Sequence, residues 1–172
     1  MATQTLIDRT KSKLVDELAK RVKAPEALDE PFVLQDRIPQ TRTRHVVVIW
    51  DRWSEMDRAE RSNVILDAYC KAGVLGKDSI TVAMGLTQQE AMQMGYLPYS
   101  IVAMRKPSDP VTLERLKQAM ESAGGVHVRT GSLLQLRFPS LDLAQEAYRQ
   151  LIQGVPGPYW AIQHETTTSD TR

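Results

Sequence analysis

The segment HVVVIW at residues 45–50 constrains the fold of this chain more than any other stretch. Four apolar residues, Val46 to Ile49, follow one another without the polar alternation of a strand that has one solvated face. An uninterrupted run of this kind is typical of a central strand that is buried on both faces. The sequence therefore predicts a sheet with this segment at its centre, and the second half of the chain or a second subunit over one face.

The first part of the chain, residues 1–96, is predicted to form an α/β module around this strand. An apolar stripe through residues 5–23, followed by Pro25, indicates an amphipathic helix. A second helix is expected between an N-capping Asp57 and a terminal Gly73. The other expected elements of this module are strands at 31–39 and 79–84 and a short helix at 86–95.

The second part, residues 97–165, is predicted to be a separate module in the order β-α-β-β-α-β, which is the ferredoxin-like arrangement. Its first helix is expected to begin at an Asp109 N-cap with Pro110 at the first helical position, and its second at a Ser140 N-cap. A hairpin is expected to turn near Thr130–Gly131. The polar tail, residues 166–172, is expected to be disordered. The predicted fold class is therefore α+β, in two modules.

Composition excludes several classes of protein. Lysine and arginine number 22 against 21 aspartates and glutamates, so a net charge of +1 gives no long-range attraction to nucleic acid or acidic membranes. The single cysteine, Cys70, cannot form an internal disulfide. No segment has the apolar length of a signal peptide or a membrane span. We therefore expect a cytoplasmic protein that does not engage a membrane.

Residues 51–69, DRWSEMDRAERSNVILDAY, resemble the BolA family. That family has a strand ending in Asp, an aromatic residue two positions later, and an Arg-His-Arg that enters a long helix. Asp51, Trp53 and Arg61 fall on those positions, and LTQQEA at 86–91 is similar to the motif after the family's last strand. The resemblance covers residues 5–95 and implies the BolA type of α/β fold, which is akin to the class II KH fold. The full prediction is a BolA-like module followed by a ferredoxin-like module.

The departures from the BolA pattern limit what the resemblance implies. The histidine that the family uses at an iron–sulfur cluster falls on Ser79, and serine does not replace it as a cluster ligand. The other conserved glycine, histidine and second arginine fall on Glu55, Ser62 and Asn63. There is also no Gly-x-x-Gly loop of the kind with which KH domains hold a nucleic-acid backbone. No metal or other cofactor is therefore expected.

No group of residues has the pattern of a catalytic site, so the protein is predicted not to be an enzyme. Asp51 and Asp57 are expected to end a strand and to cap a helix. Cys70 is expected to be a buried or half-buried thiol. The histidines are far apart in the chain and lack metal-ligand spacing; they are His45, His127 and His164.

Other residues suggest binding surfaces. The methionines near the junction of the modules, Met84, Met92, Met94 and Met104, are expected to fill packing gaps or to line a groove for a peptide. In the second module the positions where RNA-recognition motifs stack bases fall on Leu133 and Gln135, which offer no aromatic face.

One group of arginines forms the candidate binding site. It comprises Arg37, Arg42, Arg44, Arg52, Arg58 and Arg61, with Asp36, Glu55, Asp57 and Glu60 between them in the chain. The carboxylates either cancel the field of this group or leave a local positive patch.

The function that these patterns favour is that of a non-enzymatic intracellular adaptor acting through protein–protein contacts, with an unidentified protein partner. RNA binding through the arginine group and small-molecule sensing by the second module are alternatives, and a homodimer is left open.

Overall fold

A computed structural model describes residues 8–22, 31–73, 77–130 and 133–164 of the chain. The class is α+β, as the sequence predicts. The chain divides into two compact units, Met1–Gln88 and Gln89–Arg172, whereas the sequence placed the division after residue 96. The predicted disordered tail and the turn residue Gly131 lie outside the described residues.

The first unit contains a three-stranded mixed sheet with helices packed on it. Its strands have the order β1-β2-β3, in which β1 and β2 are antiparallel and β2 and β3 are parallel. The helix α2 begins after an Asp57 N-cap and ends at Gly73, whose φ of 67° is the left-handed conformation that favours glycine. Its elements, in chain order, are α1 (Asp8–Val22), β1 (Phe32–Arg37), β2 (Arg44–Ile49), a 3₁₀ helix (Asp51–Glu55), α2 (Arg58–Ala72), a 3₁₀ turn (Lys77–Ser79) and β3 (Ile80–Leu86). The next helix, α3 (Gln88–Gln93), begins at the last residue of this unit, and its other residues belong to the second unit.

The central strand β2 is buried on both faces, which confirms the prediction from its apolar run. Val46 and Val48 are inaccessible to solvent, and Val47 and Ile49 on the opposite face are 6% and 2% exposed. The Val46 face meets the two long helices, where the core is formed by Leu14, Leu18, Val46, Val48, Trp50, Trp53, Ile65, Ala68, Tyr69 and Ile80. The core therefore joins the helices α1 and α2, the strand β2 and the 3₁₀ helix that carries Trp53.

A tight hairpin joins β1 to β2. The Ile38 and Thr41 backbones close it, because the amide of Thr41 donates to the carbonyl of Ile38 at 3.3 Å. Pro39 and Gln40 are its central residues, and Gln40 has a φ of 64°. Proline followed by a residue of positive φ is the requirement of a type II turn. The turn leaves Arg37 directly opposite Arg44 in the register of the two strands.

The second unit has four antiparallel strands in the order β5-β6-β4-β7, with two helices on one face. The chain order of its elements is the β-α-β-β-α-β order that the sequence predicts. Ile101, Leu136, Phe138 and Trp160 of the sheet pack with Leu116, Met120, Ala147 and Leu151 of the helices. The elements are β4 (Tyr99–Ala103), α4 (Leu113–Ser122), β5 (Val126–Thr130), β6 (Leu133–Phe138), α5 (Leu141–Gly154) and β7 (Trp160–His164).

One helix start in this unit differs from the prediction. The amide of Leu143 donates to the Ser140 hydroxyl, so Ser140 caps α5 as expected. The helix α4, however, begins at Leu113 with Thr112 as its N-cap. The predicted cap, Asp109, instead accepts the amide of Lys106 at 2.6 Å and closes a separate turn. Of two capping residues three positions apart, Asp109 therefore closes a turn and Thr112 caps the helix.

Candidate functional site

The six arginines predicted as one binding site lie in three different places. The strand β2 has six residues, and at about 3.3 Å per residue its two ends are about 16 Å apart. Arg37, Arg42 and Arg44 are at the hairpin that precedes β2, whereas Arg52 and Arg58 follow its other end. Arg61 is only 6% exposed. The arginines therefore do not form a single patch.

The hairpin arginines are the most accessible group. Arg37 and Arg42 are exposed and Arg44 is half-buried. Residues 37–44 include no acidic residue, and within the described ranges no carboxylate forms an ion pair with any of these three arginines. The carboxylates that alternate with the arginines in the sequence therefore do not neutralise the hairpin. We call residues 37–44 the basic hairpin.

A chain of hydrogen bonds connects the basic hairpin to the core. The Arg44 guanidinium donates to the amide oxygen of Gln35 at 3.1 Å, and the amide nitrogen of Gln35 donates to the Tyr69 hydroxyl. Tyr69 has no solvent exposure. Its burial raises the pKa of Tyr69 from 10.0 to about 12, although the hydrogen bond from Gln35 and the charge of Arg44 lower it in part. Tyr69 is therefore neutral at ordinary pH.

Sequence reasoning did not identify Gln35 or Tyr69 as part of this site. One feature of the sequence could have located Gln35. Side chains alternate along β1, so Val33, Gln35 and Arg37 lie on the face that packs on the helices. Gln35 and Arg37 are nevertheless exposed, so burial does not require a partner for the amide. The partner of the Gln35 amide nitrogen is a hydroxyl 34 positions away in α2, which local patterns do not locate.

The ionisation of Tyr69 gives a testable pH dependence. The unfolded chain releases this proton near pH 10, and the folded protein holds it to about pH 12. The contribution to stability is therefore complete below pH 10 and is lost as pH rises through 12, which amounts to about 2–3 kcal/mol. Urea denaturation of the wild type and of Tyr69→Phe checks this, since only the wild type has the extra loss. Parallel pH dependence in the two proteins would contradict the raised pKa.

Trp53 and Arg61, two of the three residues on which the resemblance to the BolA family depends, form a buried structural cluster, whereas Asp51 is exposed. The Trp53 side chain is fully buried and its indole nitrogen donates to the Val48 carbonyl at 3.0 Å. The Arg61 guanidinium donates to the carbonyl of Met56 at 2.8 Å and to that of Gly85 at 3.2 Å. Arg61 therefore satisfies backbone groups inside the unit. The sequence predicts that Arg61 belongs to a surface binding site, but its charge is not at the surface.

A glycine allows this close packing. A Cβ atom placed on Gly85 would lie 2.8 Å from the Cβ of Arg61 and 3.1 Å from the Trp53 ring. Both distances are shorter than ordinary van der Waals contacts between carbon atoms. The absence of a side chain at Gly85 therefore allows β3 to pack directly against Trp53 of the 3₁₀ helix and Arg61 of α2.

Asp57 has the helix-capping role predicted for it, whereas Asp51, predicted to end a strand, lies in the 3₁₀ helix after β2. Asp57 accepts the amide of Glu60 at 2.8 Å and caps α2. Asp51 accepts the amide of Gln88 at 2.9 Å and so caps the start of α3. Ser62, at the position of the family's histidine, donates its hydroxyl to the carbonyl of Ala83 at 2.7 Å. These side chains therefore stabilise the fold at the helix ends.

The remaining candidate groups are dispersed. Cys70 is exposed, so the prediction of a buried or half-buried thiol is wrong; it is next to the buried Tyr69 but points away from the core stripe of α2. His127 and His164 lie on β5 and β7, the opposite edges of the second sheet, and His164 stacks on Tyr99 at 4.7 Å. In the described ranges, no three His, Cys, Asp or Glu residues are grouped as metal ligands would be.

Two further surface features are exposed methionines and a groove in the second unit. Met94 and Met104 are 49% and 50% exposed. A shallow groove of about 410 Å³ runs between α4 and α5 and is lined by small and polar residues, among them Arg115, Ser122 and Gly154. None of the residues that the sequence singled out lines this groove.

Searches of protein-family models, curated proteins and solved structures found no match to this chain. Among the described residues, no helix is both long enough and apolar enough to cross a membrane.

Proposed function

We propose that the protein is a non-enzymatic binding protein that holds nucleic acid by its phosphate backbone through the basic hairpin. The observation that carries this proposal is the exposure of Arg37 and Arg42 beside Arg44, without an ion-pairing carboxylate in the described ranges. Arginine forms bidentate hydrogen bonds with phosphate oxygens. Uncompensated arginines on a projecting hairpin are therefore suited to a polyanion.

The composition of the hairpin favours nucleic acid over an acidic protein surface. Its other polar side chains are Gln40, Thr41 and Thr43; the two hydroxyls bond to each other and that of Thr41 to the Ile38 carbonyl within the hairpin, and the Gln40 amide is of a kind that commonly contacts phosphate and sugar. Residues 37–44 contain no aromatic residue that would stack on a base and only one larger aliphatic residue, Ile38. The proposed contact is therefore with the backbone and is independent of base sequence.

The architecture supports a binding role as well. The elements from α1 to α3 have the helix, strand, strand, helix, strand, helix order of the BolA type of fold, with a mixed sheet, and we propose that this part of the chain is BolA-like, although α3 extends past the end of the first unit at Gln88. The second unit has the strand order β5-β6-β4-β7 that a ferredoxin-like module requires, and we propose that fold for it. Folds of this kind host many functions, so the basic hairpin carries the functional proposal.

The expected binding is weak and depends strongly on salt. Each phosphate neutralised on a single strand contributes about −0.7 to the slope of log K against log salt, so two or three phosphates contacted by the three arginines give a slope of about −1.4 to −2. The affinity is then expected to fall about 7- to 20-fold between about 50 and 200 mM salt. Fluorescence anisotropy with labelled single-stranded DNA, in several base compositions, measures both quantities.

Substitution of the three hairpin arginines with glutamine tests the site. The triple variant R37Q/R42Q/R44Q is expected to lose measurable binding, because it removes the charges that displace counterions from the strand. The comparison matched in charge is between the single variants Arg42→Gln and Arg149→Gln. Arg149 is an exposed arginine of α5 in the second unit, and its variant is expected to bind as the wild type does. Equal loss in these two single variants would show that net charge, and not the hairpin, determines binding.

The competing prediction of a protein partner is tested in the same assay. A labelled acidic peptide takes the place of the DNA. Binding of the peptide without binding of DNA at low salt would overturn the nucleic-acid proposal and favour the adaptor predicted from sequence. Small-molecule sensing by the second unit stays a prediction.

A further inference from the structure

We infer that Arg37 and Arg44 form a clamp for one phosphate group, and that Gln35 is the residue that positions Arg44 within it. This inference rests on the proposed function of the basic hairpin and assigns roles within that site. It rests on three features, which are the register of the strands, the hydrogen bonds of Gln35 and the burial of Tyr69.

The first step concerns two like charges. Arg37 and Arg44 are direct partners across the antiparallel strands, so their Cβ atoms are about 4.5–5.5 Å apart on one face. Like charges in this arrangement destabilise a strand pair. No carboxylate of the described residues pairs with either arginine. An anion between the two guanidinium groups would convert the repulsion into two attractions.

The second step concerns the orientation of Arg44. Gln35 is two residues before Arg37 on β1, and its amide oxygen accepts a hydrogen bond from Arg44 at 3.1 Å. A guanidinium has five N–H donors, so this bond leaves the others for a ligand. Because the amide nitrogen of Gln35 is directed to Tyr69, the amide oxygen is the atom that faces Arg44.

The third step is the anchor behind Gln35. Tyr69 lies in α2 with no solvent exposure, so its hydroxyl is held by the packing of the core. The Arg44 guanidinium is thereby connected, through the amide of Gln35, to the buried hydroxyl of Tyr69. A side chain that is already ordered loses less conformational entropy when it binds its ligand. Arg37, which is exposed, completes the clamp without such an anchor.

Position and charge are separated by different substitutions. Gln35→Leu keeps every charge but removes the anchor, so we expect affinity for oligothymidylate to fall about 3- to 10-fold, with the salt slope unchanged. The double variant R37Q/R44Q removes both charges from the clamped phosphate and is expected to make the slope less steep by about 0.7. Gln163→Leu, which replaces an exposed strand glutamine in the second unit, is the matched control and is expected to bind as the wild type does.

A second variant covers the case in which Gln35→Leu does not fold. Tyr69→Phe keeps the buried ring and removes only the hydroxyl that accepts the Gln35 amide. We expect it to lose affinity in the same direction, again at constant salt slope, while its circular dichroism spectrum matches the wild type.

The outcomes distinguish this inference from the proposed function. Wild-type affinity in Gln35→Leu and Tyr69→Phe, together with loss of binding in R37Q/R44Q, would overturn the positioning role and leave the function intact. A slope in Gln35→Leu as reduced as that of R37Q/R44Q would overturn it as well, because the variant would then have lost a phosphate contact. Absence of binding by the wild type would remove the proposed function itself.

Discussion

Replacement of Trp53 with alanine is expected to lower the free energy of unfolding by about 3–5 kcal/mol, the largest effect of any single change considered. Trp53 has no solvent exposure, and its ring packs edge-on against Trp50 at 5.5 Å. Alanine would leave a cavity in the core of the first unit. It would also leave the buried Val48 carbonyl without the indole donor that lies 3.0 Å away.

Chemical denaturation followed by far-ultraviolet circular dichroism measures this change. Trp53→Phe is expected to lose less than alanine, because the phenyl ring fills much of the space but cannot donate to Val48. The matched control is Ser54→Ala, an exposed neighbour in the same 3₁₀ helix, which is expected to change stability by no more than about 0.5 kcal/mol. A loss of less than about 1 kcal/mol in Trp53→Ala would contradict the packing described for the first unit.

Arg61→Ala is expected to produce the second largest effect, a loss of about 2–4 kcal/mol. The guanidinium serves the carbonyls of Met56 and Gly85, and alanine leaves both acceptors unsatisfied in a buried place. Removal of a buried charge offsets part of the loss, since the desolvation of the guanidinium is no longer required. Arg61→Lys is expected to be no rescue, because an ammonium lacks the planar fork that reaches two acceptors at once.

The comparison with Arg42→Ala separates structure from binding. Arg42 is exposed at the hairpin, so this variant is expected to keep its stability within about 0.5 kcal/mol and to lose affinity for DNA. Arg61→Ala, measured where it is folded, is expected to bind as the wild type does. The reverse pattern, with a stable Arg61→Ala that no longer binds, would return Arg61 to the candidate site.

Local chemistry predicts much of this fold. The apolar run of β2 and the caps Asp57, Gly73 and Ser140 depend on residues within a few positions of one another, and the structure has them as predicted. The predicted start of α4 is wrong because Asp109, the stronger cap by residue type, accepts the Lys106 amide in a separate turn and leaves the capping of the helix to Thr112.

The candidate site was less predictable because it depends on distant partners. An arginine in a polar stretch of helix is usually exposed, and Arg61 is buried only because Gly85, 24 residues later, presents a carbonyl and no side chain. Arginines that are close in the chain were grouped together, although β2 carries Arg52 and Arg58 to the far end of the sheet from the hairpin. The role of Gln35 likewise depends on Tyr69 in another element.

The short distance between the helix α2 and the strand β3 has a consequence for how this protein can change. Position 85 has no room for a methyl group, because its Cβ atom would lie 2.8 Å from the Cβ of Arg61 and 3.1 Å from the Trp53 ring. Every residue except glycine has that Cβ atom, so a shorter side chain at position 61 does not make room. Any descendant of this chain that gains a side chain at position 85 must therefore move the helix outward.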